Sequence, residues 1–321
     1  MRNPVIQLMV QLITLIIIMV SFSKNEWLVS SSLVIALLLI VLIGIPHGAN
    51  DHLLFFNLIN KRMDEKNNKS TLFFASYIGL ILIYVGCWYL FPTFSLGLFI
   101  LISIYHFGQS NLYISPIESK FVKLISIFLS GSFVLLTPIF AHIETALPVI
   151  QTISKNPYFL TISEELGNTL AISVGVLMII HWVILMLSTQ INFKNGLHEI
   201  MNVFLLFGLF YFSPLWIGFA IYFTLWHAIP SIEDQINFFK TTRENYNLGK
   251  YVREIFPFSL IALSGLLLAF QFSGDYISVN QGLALLFSFI AVITLPHMIM
   301  MDLLYLRIGE KKTFDTNNVI F

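Results

Sequence analysis

Charge is scarce in this sequence. Only 11% of its 321 residues are Asp, Glu, Lys or Arg, 17 of each sign, with no net charge at pH 7. Ordinary soluble domains carry about 25% charged residues, so a water-exposed globule is excluded as the main architecture. The even balance leaves no basic face, and nucleic acid is not an expected partner. Cysteine is scarcer still. A lone Cys87 excludes an intrachain disulfide and any multi-cysteine metal or iron–sulfur centre. No small-residue cleavage site follows the long apolar run behind Arg2, so that run reads as a retained first span. Low-complexity tracts, internal repeats and polar blocks large enough to fold alone are also missing.

What is present is apolar. Hydrophobic residues make up 57% of the chain. Spanning a bilayer takes about 20 mostly apolar residues, and ten segments qualify. They run over roughly 5–22, 27–46, 71–91, 95–115, 121–141, 169–189, 198–212, 214–231, 254–273 and 281–303. None shows period-2 alternation, so they are read as helices rather than barrel strands. The expected fold is therefore all-α, a polytopic bundle forming a single membrane domain over 1–321. Only SerPro at 213–214 divides the seventh and eighth spans. Loop charges set the orientation. With the N-terminus inside, Arg2, Lys61, Arg62, Lys66, Lys69, Lys120, Lys123, Lys194, Lys240, Arg243, Lys250, Arg253, Arg307, Lys311 and Lys312 all fall inside. Only Lys24 and Lys155 fall outside. That asymmetry predicts both termini in the cytoplasm and a multi-pass protein of the inner (plasma) membrane. Segments 142–168 and 232–250 are expected as short interfacial helices.

The few polar residues inside the spans are not scattered. His47 ends the second span, His106 lies past the middle of the fourth, His227 is late in the eighth and His297 late in the tenth. With alternating orientation, these four share one depth. Ionisable groups inside a membrane usually face the bundle interior and mark a functional site. Several imidazoles with few carboxylates suit iron, zinc or copper rather than calcium or magnesium, and a bundle builds such sites from facing helices. Metal-bound histidines usually donate their second ring N–H to a carboxylate, carbonyl or water. At three and four residues past His47 stand Asn50 and Asp51, past His106 Gln109 and Ser110, and past His227 Pro230 and Ser231. Asp51 and Gln109 are the candidate outer partners. His52 is about 140° round an ideal helix from His47 and is expected to face elsewhere, unless Gly48 and the GlyIlePro before it break the helix. His181, His142 and His198 read as hydrogen-bonded or interfacial residues, and Met300 and Met301 as gap-fillers.

Four stretches together resemble a known family: PHGANDH after the second span, YHFGQS in the fourth, the WH of FTLWHAIPS in the eighth and LPHM in the tenth. They are similar, in order and spacing over almost the whole chain, to the Brp/Blh family of membrane β-carotene 15,15′-dioxygenases. The resemblance implies an iron(II) enzyme that splits β-carotene with O₂ into two retinals, which a microbial rhodopsin can accept. It implies His47, His106 and His227 as Fe²⁺ ligands. The family pattern has a second histidine four residues after the eighth-helix one, where this chain has Ser231. His297 matches the late PH motif and is the candidate fourth ligand, with Asp51, Gln109 and Ser231 around the centre. Tyr105, Phe107, Phe223 and Trp226 stand near these histidines and are the candidate polyene contacts, although aromatics also face lipid readily.

Rival classes are a proton-coupled transporter, a di-iron desaturase, a haem protein and a non-catalytic retinal or opsin accessory protein. The desaturase needs clustered HxxxH and HxxHH boxes, which are missing here. An inverted repeat, expected of many carriers, is not evident. Ser231 keeps the accessory reading open.

Overall fold

The structure is a computed structural model that describes residues 3–23, 26–59, 68–112, 117, 119–274 and 277–317. Arg2, Lys24, Lys61, Arg62 and Lys66, used above to orient the chain, lie outside the described residues.

Among the described residues every regular element is helical. Helix α1 is Pro4–Phe22, started by Asn3, whose side chain accepts from the Val5 N–H ahead of a proline-led first turn. Helix α2 is Glu26–Leu39. It runs into a π-turn at Ile40–Gly44 and a 3₁₀ turn at Pro46–Gly48, and then into α3, Asp51–Ile59. Next come α4 (Asn68–Leu90), α5 (Pro92–Leu112), α6 (Lys120–Ala141), α7 (Ile143–Ser154), α8 (Glu164–Leu187) and α9 (Phe193–Phe212). Helix α10, Leu215–Ile221, continues through a second π-turn, Tyr222–Ala228, into α11, Ile229–Lys240. The chain closes with α12 (Leu248–Phe272) and α13 (Val279–Asn317).

Among the described residues, eight stretches are long and apolar enough to cross a membrane: α1, Glu26–Leu58, Ser70–Leu90, α6, α8, Leu215–Lys240, α12 and Val279–Ile308. The sequence predicts ten. The other two expected spans form helices α5 and α9, of 21 and 20 residues, but they are not among the eight. His106, Gln109, Ser110 and Asn111 dilute the end of α5, and Lys194, Asn195, His198 and Glu199 the start of α9. Polar side chains spent on site-building and on helix ends lower the hydropathy that marks a span. The break at Ser213–Pro214 is present: the Ser213 N–H still bonds the Leu209 carbonyl, and α10 begins after Pro214. Segment 142–168 does contain a helix, α7, whereas 232–250 is divided: 232–240 continue the eighth span as the end of α11, 241–247 form the connection and 248–250 open α12. Large apolar side chains such as Leu8, Ile83, Leu177 and Leu267 are well exposed, which suits a surface solvated by lipid.

The helices pack as two compact units, each assembled from separated stretches of chain. In the unit made of Met1–Gly44, Ser103–Gln151 and Pro157–Pro230, α6 crosses α5 at unusually close range. A Cβ on Gly108 would overlap the Ile127 carbonyl, and one on Gly131 would overlap the Ile104 carbonyl. Reciprocal glycines of this kind let two membrane helices touch backbone to backbone. In the unit made of Ile45–Ile102, Thr152–Asn156 and Ser231–Phe321, α13 packs on α3, α4 and α12. Pro296 lies inside α13, just before His297, and removes one backbone donor at that turn.

Candidate metal centre

His106 sits on α5 between Ile104 and Gly108, the residues pressed against α6, so that close crossing fixes its position. His227 belongs to the π-turn Tyr222–Ala228. A π-turn widens the helix and re-aims the side chains that follow, and such turns recur at functional sites. The result is an edge-on pair: the His106 and His227 rings have centroids 4.9 Å apart and planes at 75°. Phe107 meets His227 edge-on at 4.9 Å, and Phe223 stacks on it at 5.9 Å with planes 10° apart. Phe223 has room for its ring because Gly44, in the first π-turn, lacks the Cβ that would strike Phe223 Cε1.

His47 occupies the 3₁₀ turn that follows the π-turn of the second span. Its carbonyl is approached at 3.5 Å by Gln235 Nε2 and by the Tyr251 hydroxyl, which also donates to Gln235 Oε1 at 2.8 Å. The same Gln235 amide donates to Ser231 Oγ at 3.2 Å. Ser231 is fully buried. The position where the resemblance leads one to expect a histidine therefore anchors a glutamine that helps carry the His47 turn. His297 lies beside His47, ring centroids 5.0 Å apart and planes at 87°. Its Nδ1 is 2.8 Å from Asp51 Oδ1, while Asp51 Oδ2 accepts the Tyr77 hydroxyl at 2.8 Å.

The three ligands that the resemblance implies, His47, His106 and His227, are all buried; within one unit the His106 and His227 rings pair edge-on, and within the other His47 pairs with His297. The donor set is three imidazoles, which fits iron, copper or zinc better than the hard, oxygen-seeking cations. His297 is not one of the three.

The other histidines have ordinary partners, as the sequence suggests. His181 Nε2 is 2.9 Å from Ser126 Oγ, His198 Nε2 is 2.7 Å from Gln7 Nε2, and His142 Nε2 is 3.0 Å from the Phe210 carbonyl. Burial holds the His142 imidazole below its usual pKa range, against the opposing pull of backbone hydrogen bonds. His52 stacks on Phe258 at 3.8 Å.

Other expected residues stand as follows. Phe107 and Phe223 flank His227. Tyr105 packs on Phe128, and its hydroxyl accepts from Gln109 Nε2 at 3.2 Å. Trp226 donates its indole N–H to Thr14 Oγ1 at 2.9 Å, which ties the π-turn to α1. Asp51 bonds His297 rather than His47, because the helix breaks between residues 47 and 51 and the four-residue spacing no longer places them on one face. Tyr77 reads in the sequence as an ordinary residue of an expected span, and Gln235 and Tyr251 as residues between two spans; only tertiary packing reveals their hydrogen bonds.

A family model described as Beta-carotene 15,15'-dioxygenase matches residues 38–305. A curated protein from an uncultured marine bacterium, 66A03, named beta-carotene 15,15'-dioxygenase, is 28% identical over 292 residues, covering 84% of this chain and 93% of that protein. No solved structure matches the chain.

Proposed function

The chain belongs to the beta-carotene 15,15'-dioxygenase family, and from that premise we propose that it is an iron(II)-dependent enzyme of the inner membrane that cleaves β-carotene at its central double bond. One O₂ is consumed, the central C=C and the O–O bond both break, and each new terminal carbon takes one oxygen as an aldehyde, giving two retinals. The observation that carries this reading is the buried, edge-on pair of His106 and His227, to which the resemblance adds His47 as the third ligand.

These three imidazoles would hold the ion, with His297 as the candidate fourth donor. The ion, when bound, supplies the redox centre at which O₂ reacts. Everything else is done by the chain. Phe107 and Phe223 set flat apolar faces beside His227, where a rigid polyene can lie without losing hydrogen bonds. Positioning is the main demand, since displacing the target bond by about 1 Å can cost on the order of 10²-fold in rate. Burial of the histidines keeps water from the reacting bond. β-Carotene dissolves in the bilayer, so a site set among membrane helices receives it from the side. Retinal leaves by the same phase toward an acceptor such as a microbial rhodopsin.

One observation favours a second reading. Ser231 is fully buried and bonded to Gln235, so the chain lacks a donor that the resemblance implies, and a non-catalytic retinal carrier would need no complete ligand set. Expression in bacteria that accumulate β-carotene separates the two. Orange cells are expected to bleach as retinal forms, and His47→Ala, His106→Ala and His227→Ala cells to stay orange. Cells that keep their colour with the unaltered chain would favour the carrier.

A further inference from the structure

We propose that Tyr77 is a positioning residue for His297, acting through Asp51. The inference rests on the metal-centre reading and adds the device that readies its fourth histidine.

Asp51 stands at the start of α3, and Tyr77 and His297 near the middles of α4 and α13, so three helices meet at one carboxylate. Its two oxygens have different tasks. Oδ1 faces His297 Nδ1 at 2.8 Å, and Oδ2 accepts the Tyr77 hydroxyl at 2.8 Å. Asp51 and His297 are both buried. A carboxylate turns easily about its last torsion. A phenol holding one oxygen removes that freedom and keeps the other oxygen aimed at the imidazole. With the carboxylate oxygen as acceptor, the imidazole donates from Nδ1. That fixes the tautomer in which Nε2 carries the lone pair, the form a metal ion takes.

The ring is held from a second side as well. A Cβ on Gly48 would stand 3.2 Å from His297 Nδ1, so the glycine backbone backs directly onto the imidazole. The His47 ring lies edge-on to it at 5.0 Å. His297 is thus held in place and in protonation pattern by groups that belong to neither its own helix nor a solvent-facing surface. A tyrosine serving only as a helix brace would need no carboxylate that is itself bonded to an imidazole.

The test uses the full chain purified in detergent and titrated with Co²⁺, whose visible d–d bands report both affinity and the donor set. The unaltered chain is expected to bind Co²⁺. Tyr77→Phe and Asp51→Asn are expected to bind on the order of 10-fold more weakly while reaching the same band envelope at saturation. His297→Ala is expected to give a different envelope. A Tyr77→Phe chain that melts earlier but binds Co²⁺ as tightly as the unaltered chain would overturn the proposal and leave the metal centre standing. An unaltered chain that binds no Co²⁺ would instead overturn the metal-centre reading. If Tyr77→Phe does not accumulate, ¹⁵N-histidine NMR of the unaltered chain decides, with the His297 signals assigned by their loss in His297→Ala. A proton on His297 Nδ1 supports the proposal, and one on Nε2 overturns it.

Discussion

At His227 the chemistry of a single ring depends on neighbours that leave space for it. Phe223 stacks on that imidazole because Gly44 has no side chain to displace it. Gly44→Ala is therefore expected to push Phe223 off its place, costing about 1–3 kcal/mol in thermal unfolding, with a loss of bound metal alongside. His106→Ala and His227→Ala are expected to lower metal affinity at least on the order of 10–100-fold, read by metal analysis of the purified chain. Residue identity was the most legible level in the sequence. An imidazole in a greasy span costs too much to be placed idly, and His47, His106 and His227 drew attention for that reason. Their supporting groups did not. Asp51 is legible as a candidate partner, but its bond reaches 246 positions along the chain to His297, whereas local spacing points to His47.

Among the elements, the two π-turns do most to shape the site, and neither was legible. YFTLWHA reads as a stretch of ordinary apolar helix, and nothing in its composition favours five-residue over four-residue hydrogen bonding. Removing one residue tests the turn. Deleting Leu225 would let Tyr222–Ala228 close into regular α-helix and withdraw the re-aiming of His227 that the π-turn provides. The shortened chain is expected to insert in membranes but to lose its metal, measured on detergent-purified protein. The crossing of α5 and α6 is the second device. Gly131→Ala places a Cβ on the Ile104 carbonyl, and backbone cannot give way as a side chain can. A cost of about 3 kcal/mol or more is expected, seen as a lower melting temperature, with His106 displaced alongside. The SerPro break between α9 and α10, by contrast, was plain in the sequence, because proline cannot extend a ladder that needs its N–H.

For the whole molecule, composition settled the class. So little charge and so much apolar surface admit a helical membrane protein and little else. The count was harder: ten spans are expected, and among the described residues eight stretches meet the length and apolarity of a crossing. Helices that carry site residues, α5 above all, look less membrane-like than they are shaped to be. Orientation follows from charge, and a labelling experiment checks it. In a Cys87→Ser background, Lys155→Cys is expected to react with an impermeant thiol reagent added to whole cells, and Lys250→Cys only after lysis. The central claim joins that membrane fold to its chemistry, and the product ratio of the purified, iron-loaded chain given β-carotene and O₂ tests it most directly. The account predicts two retinals for each β-carotene consumed with the unaltered chain, and no retinal with His106→Ala. Retinal formed equally by His106→Ala, or β-carotene lost as aldehydes of unequal length, would contradict it.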